Sequence, residues 1–376
     1  MRRAWPVWVR AGMAFGTAIE GVEVRNVSSS NHLKVVLPGE DHQRVVRLVS
    51  CSAEYAEDQH GSGLTSRMGT PEGKKATKWL RDLFGAEHDG RFSTERGPAI
   101  VDLEFEGDEP ADECLVKYRD ARGHLLCNVW LSTKAEPESW LKDTHVNVTM
   151  VRAGHSPYFN KYGRSRHHHH AFLDAEREAM AEAAGIWDRR VWVHPGPDPY
   201  VPLAAWWGFR DALIHDHRRF MASALATRLR YPVKDARGDY EELCEAGGAT
   251  PKHLTAPTST FTVFVDLGPK DDTLGYGGVM RAVGSNDACL YAGDRRHRFN
   301  LWVPNRDSEE ALKILDLVER RYAGAGKRNY CYVTGAVQVY KPKRRPQITL
   351  TDAGQITDYP PLVPRIERSA PSAVTA

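Results

Sequence analysis

Val146-Asn147-Val148-Thr149-Met150-Val151-Arg152-Ala153-Gly154-His155-Ser156-Pro157-Tyr158 is the stretch on which the fold turns. Its first part predicts a helix over Thr144 to Ala153, stopped by Gly154, because glycine enters the left-handed conformation at no steric cost. Met150 and Val151 belong to the apolar side of that helix. Asn147, one turn before Val151, is placed to bond backbone groups between the helix and the layer it packs on. A polar loop, Lys161-Tyr162-Gly163-Arg164-Ser165-Arg166, follows. A second helix is expected from about His168 to Trp187. Phe172, Ala175, Ala179, Ala183 and Ile186 form its apolar stripe, and Trp187 is a large anchor at its end.

Working back toward the N-terminus, β-rich runs occur at Val22 to Val27, Leu33 to Leu37 and Val45 to Val49, separated by Ser28-Ser29-Ser30-Asn31 and by Pro38-Gly39. They predict a three-stranded meander. Ser52 to Thr70 reads as a loop. Pro71 to Phe84 reads as a helix, with proline near its start and Ala76, Trp79, Leu80 and Leu83 on one face. Ile100 to Phe105 and His124 to Leu131 are further strands. Strands, a helix, strands again and then two helices is the order of a β-barrel with helices packed on one end.

This segment resembles the staphylococcal nucleases. Their N-x-x-(L/M)-V-R-x-G helix and tyrosine loop are similar to Asn147 to Tyr158. Their E-x-x-A…G-(I/L)-W ending is similar to Glu176-Arg177-Glu178-Ala179 and Gly185-Ile186-Trp187. Their D-x-Y-G-R-L-L hairpin is similar to Asp120-Ala121-Arg122-Gly123-His124-Leu125-Leu126. The resemblance covers roughly Val22 to Trp187, and it implies an OB-type barrel that holds nucleic acid.

Active members of that family place two aspartates on a calcium ion, a glutamate beside the attacking water, and two arginines on the phosphate. Oxygen ligands carrying negative charge are what such a hard cation needs. Carried onto this chain, one metal aspartate falls on Asn31 and the other on Ser52. Arg47 matches the first phosphate arginine, Glu54 lies one position short of the glutamate, and His124 stands at the second arginine, with Arg122 two residues away. The resemblance therefore implies a family member with lost or impaired phosphodiesterase activity, and no metal. Two other readings stay open: a divergent nuclease using calcium, Arg47 and Glu54, and a protein-interaction scaffold.

Beyond the barrel, Pro195 to Pro202 marks a boundary, Leu203 to Leu229 reads as helical, and Asp235 to Thr260 as a loop. Strands are expected at Thr260 to Leu267, Gly278 to Val283, Arg298 to Val303, Tyr330 to Tyr340 and Gln347 to Thr351. A helix is expected at Ser308 to Tyr322, started by Ser308. The whole is mainly β with α. It reads as an N-terminal segment (1–21), the nuclease-like domain (22–190), a proline-rich and helical linker (191–258), an OB-like second barrel (259–358) and a disordered tail (359–376).

Two cationic clusters are candidates for contact with single-stranded DNA or RNA. One is Lys161, Arg164 and Arg166 with Tyr158 and Tyr162, where cations alternate with rings able to stack bases. Its alternative is an ordinary loop whose aromatics pack on the barrel. The other is Lys341, Lys343, Arg344 and Arg345 at a hairpin tip, whose alternative is a solvated tip that discourages edge pairing. In the run His167 to His170, only His167 and His170 are spaced to face one metal, and a solvated helix start is the preferred reading. The six cysteines have no close pair and read as buried thiols rather than zinc ligands.

With 51 Lys and Arg against 49 Asp and Glu, net charge selects no anionic partner, so any such surface must be local. No run approaches the roughly 20 apolar residues of a membrane span. Arg2, Arg3 and the apolar Trp5 to Val9 faintly resemble a signal peptide, but Arg10 interrupts the run. A cytoplasmic protein is expected.

Overall fold

The computed structural model describes residues 15–57, 69–120, 122–131, 144–192, 200–228, 233–246, 259–267, 280–283, 286–293, 297–324, 326–340 and 344–361. Outside them lie most of the N-terminal segment and of the 52–70 loop, the start of the proline-rich boundary, Gly278, Lys341, Lys343 and the tail from 362. The chain divides into two units, Met1–Asp211 and Ala212–Ala376.

In the first unit, β1 (Ala18–Ser29), β2 (His32–Val36) and β3 (Arg44–Leu48) form the expected meander. Helix α1 (Pro71–Phe84) follows, then β4 (Ala99–Glu104), α2 (Ala111–Lys117), β5 (Leu125–Leu131) and the short β6 (Thr144–His145). The strand order β3-β2-β1-β4-β5-β6 closes on itself because β3 also pairs with β5, in parallel. Val22, Val24, Leu33, Val35, Val46, Leu48, Val101, Leu103, Cys127 and Val129 fill the barrel. The short α2 has no counterpart in the sequence reading; its buried member is Cys114, too little for a recognisable stripe.

Helix α1 has the predicted limits. Thr70 caps it by accepting from Gly73 N (3.0 Å), and Gly85 ends it in the left-handed conformation. Ala76, Leu80 and Phe84 then pack on the barrel. Helix α3 (Val146–Arg152) covers the closure, and α4 (His169–Ala181) lies beside it with Phe172 and Ala175 in the same core. Full burial of a side chain such as Phe172 contributes about 1.5–3 kcal/mol.

Asn147, fully buried, joins these layers. Its Nδ2 donates to the carbonyls of Val49 (2.9 Å) and Cys127 (3.1 Å), and its Oδ1 accepts from Val129 N (2.9 Å). The two glycines of the motif have one physical reason. A Cβ on Gly154 would lie 2.2 Å from the Ala184 carbonyl oxygen, and one on Gly185 would lie 2.1 Å from that of Gly154. Only glycine lets these backbones meet, and Ile186 N bonds the Gly154 carbonyl there (2.9 Å). Trp187 then packs with Ile186, Ala179, Tyr200 and Trp207 in a separate cluster.

Helix α5 (Tyr200–Met221) contains the division between the units and is followed by α6 (Ala224–Thr227). The second unit continues with β7 (Val233–Asp235), α7 (Tyr240–Glu245), β8 (Thr260–Asp266), β9 (Met280–Val283), β10 (Asp287–Gly293), β11 (Arg298–Val303), α8 (Glu309–Leu317), β12 (Tyr330–Tyr340), β13 (Arg345–Thr349) and β14 (Ile356–Thr357). The 235–260 stretch is therefore not all loop: Leu243 of α7 is fully buried in the core of this unit. Strand β10, also absent from the sequence reading, is hidden by small residues, alanines and a cysteine, that carry little β signal.

The sheet runs β7-β8-β12-β13-β11-β10-β9, with β14 added on β12. Among the described residues no pairing joins its two ends, so the barrel expected over 259–358 is a mixed sheet here. The β11–β13 neighbours are parallel, which a chain of hairpins cannot produce. All six cysteines are buried free thiols, as expected. No described helix is long and apolar enough to cross a membrane.

Replacing Asn147 with Ala removes partners from buried backbone groups. It is expected to cost roughly 2–5 kcal/mol in urea unfolding. Asn147→Asp should be no better, because its carboxylate would face two carbonyls. Wild-type stability in either variant would disprove this role.

Candidate nucleic-acid interface

The hairpin before β5 is organised by Asp120. Its Oδ1 accepts from the backbone N–H of Arg122 (2.8 Å) and His124 (3.0 Å), and Gly123 sits at φ 85°. This is the Asx-type turn that an aspartate two and four residues ahead of those donors supports. Oδ2 of Asp120 faces His124 Nδ1 (3.1 Å) and the Arg47 guanidinium (3.7 Å). Arg47 comes from β3, where its partner across the sheet is His32. The His32 and His124 rings meet edge to face, with centroids 5.2 Å apart. The structure thus gathers the side chains of Arg47, His124 and His32 around Asp120, while Arg122, exposed, gives it its backbone N–H. His32 was absent from the sequence reading, and its register opposite Arg47 was the signal available.

Burial first, then the Arg47 and His124 charges, lower the His32 pKa to about 4. The ring is neutral at pH 7 and can receive a proton when an anion arrives. The arrangement suits a phosphate: the Arg47 guanidinium, two imidazoles and one carboxylate already engaged, with exposed Arg122 on the adjoining turn.

Glu54 has other neighbours. It is buried, its carboxylate accepts from the Tyr200 hydroxyl and from Thr70 Oγ1 (3.5 Å), and its carbonyl accepts from Ser30 Oγ (2.8 Å). These bonds tie β2's approach, the α1 cap and the start of α5 together. Ser52 gives its N–H to Ser156 Oγ (2.8 Å). Asn31 is buried and its Oδ1 lacks a hydrogen-bond partner.

Residues 106–189 match the family model of staphylococcal nuclease homologues. This part of the chain is a staphylococcal nuclease homologue domain. No curated protein matches the chain. The matched stretch holds β5, α3 and α4 with Asn147, Gly154, Gly185 and Trp187; β1 to β4, which complete the barrel, precede it.

At the positions where the resemblance would put the family's calcium ligands, the side chains are of another kind. Asn31 offers a neutral amide oxygen, Ser52 a hydroxyl, and Asp120 is spent on Arg47 and His124. Surrounding cations oppose a divalent ion further.

The loop after Tyr158 is built inward more than its composition implied. Tyr158 is 1% exposed and stacks on Phe172 (4.9 Å), so no base can reach it. Its N–H bonds Glu176 (2.8 Å), whose pKa burial raises to about 7. Lys161 is buried, its carbonyl accepts from Arg210 (3.2 Å), and its ammonium lies over the Tyr162 ring. Arg164 pairs with Asp211 (3.0 Å) and Arg166 with Asp108. Folding thus spends most of these charges on internal partners, leaving Tyr162 half-buried and Arg166 exposed. In the other cluster Arg344 pairs with Glu241 (3.0 Å), while Arg345 opens β13.

The histidine run is not a solvated helix start. His168 is buried with Nε2 2.9 Å from Glu104, and His169 contacts the Tyr158 hydroxyl (3.0 Å). Glu104, His145 and His168 bring possible ligand atoms within 4.8 Å. Glu104 already accepts from Phe15 N, Gly16 N, Trp130 Nε1 and His168. His145 Nδ1 accepts from Val148 N (3.1 Å), which places the proton of the neutral ring on Nε2. Metal at that nitrogen would force a proton onto Nδ1 against the Val148 donor, so the group is a packed polar cluster.

Because the folded pKa of His32 lies below its ordinary 6.5, the unfolded chain binds more protons between pH 6.5 and 4. Stability therefore falls as pH drops through that window. His32→Gln should lose roughly 1–3 kcal/mol less than wild type between pH 7 and 4 in urea titrations. Parallel losses would contradict the burial of His32.

Proposed function

We propose that this protein binds single-stranded DNA or RNA through its nuclease-homologue domain and does not hydrolyse phosphodiester bonds by the calcium route. The observation that carries the reading is the cluster of Arg47, His124 and His32 around Asp120, whose carboxylate is already engaged, with Arg122 exposed on the adjoining turn. Hydrolysis needs a metal or a base to activate water as well as cations on the phosphate. Here only the cations have counterparts. A nuclease using Arg47 and Glu54 would have to release Glu54 from Tyr200 and Thr70. That requirement weighs against the enzyme reading.

Labelled single-stranded DNA and RNA should bind in fluorescence anisotropy and remain intact with calcium. Each phosphate contact on a single strand contributes about 0.7 to the salt slope. Arg47→Ser with Arg122→Ser should therefore flatten it by about 1.4. Digestion that is abolished by chelator and by Arg47→Ala would overturn this reading in favour of the nuclease.

A further inference from the structure

The second unit's sheet has one face turned to its own core, through Leu290, Leu301, Val337 and Ile348, all essentially buried. Strand alternation sends the intervening side chains to the opposite face. Over β8 and the start of β12 that face is covered by the end of α5: His217 stacks on Phe264 (4.0 Å) and meets the Tyr332 hydroxyl (3.0 Å).

Farther across, the same face carries another set of residues. The register aligns Tyr291 with Asn300, Asn300 with Gln347, and Gln347 with Gln338, in one row over four strands. Trp302, opposite Cys289, stands on one side of that row, and Tyr340, opposite Arg345, on the other. Arg298, two residues before Asn300, shares its face, and its guanidinium lies 5.1 Å from the centre of the Tyr291 ring. Arg345, two residues before Gln347 as Arg298 is before Asn300, shares that face through the parallel pairing.

The floor of the patch is deep and its walls are half open. Asn300 is 6% exposed and Gln347 3%, whereas Tyr291, Trp302, Tyr340, Arg298 and Arg345 are half-buried.

We propose that this face is a second binding surface for single-stranded nucleic acid, in which Arg298 and Arg345 meet phosphates and Tyr291 and Trp302 stack bases. Cations beside stacking rings are what a single strand requires. The surface lies in the other unit from Arg47 and does not depend on the nuclease-homologue domain's site.

The test uses the full chain, a fluorescein-labelled oligo-dC and anisotropy across a salt series. Tyr291→Ala with Trp302→Ala should weaken binding by roughly 30-fold or more with the salt slope unchanged. Arg298→Ser with Arg345→Ser should flatten the slope by about 1.4. Should the double aromatic variant fail to fold, Trp302→Phe serves, because its loss should remove part of the oligonucleotide-induced tryptophan quench. Unchanged affinity, slope and quench in these variants, with binding lost in Arg47→Ser/Arg122→Ser, would overturn this surface and leave the first site standing. A wild-type protein that does not bind would overturn both.

Discussion

The three hydrogen bonds of the Asn147 side chain are the constraint on which the first unit depends. Parallel strands such as β3 and β5 cannot be joined by a tight turn, so the barrel must be closed by chain from elsewhere. Beyond Val49 the β3–β5 ladder ends, and the amide of Asn147 takes over the carbonyls and N–H left at its margin. The same residue opens α3, so closing the barrel also fixes where that helix lies. From α3 the order passes to the Gly154–Gly185 contact, then to Trp187 and to Tyr200 at the start of α5.

Closure also positions the candidate site. The hairpin held by Asp120 leads into β5, and Arg47 lies on β3, so the parallel pairing brings Arg47 beside His124. The site is electrostatically one-sided. Its carboxylate orients a turn and neutralises one guanidinium, and His32 is kept neutral by burial and by positive neighbours. Such a pocket favours an incoming anion and disfavours a divalent cation. Glu54, a further carboxylate, is committed to holding separate elements together.

Charge clustering in the sequence translated poorly into charged surface. Lys161, Arg164 and Arg166 are near neighbours in the chain, yet each has found a partner, an aromatic ring, Asp211 or Asp108. Those partners are supplied by elements distant in sequence. Conversely, Arg298 and Arg345 are far apart in the chain and reach one face through the β11–β13 pairing. Strand register assembles that patch, and no local run of cations announces it.

What the sequence determined by itself was whatever is encoded locally: the limits of α1, the Ser308 cap, the helix stop at Gly154, the alternation of β1 to β5, and Asn147 as a link from helix to barrel. These depend on side-chain period, caps and backbone freedom within a few residues. Only the tertiary structure decided that Tyr158 is core, that Glu54 is a tether, that His32 joins Arg47 and that His168 is buried on Glu104. It also decided that the second unit's strands form a sheet carrying Arg298, Arg345 and Asn300 on one face. Each of those outcomes rests on partners tens to hundreds of residues away, and burial and pairing at that range are properties of the assembled chain.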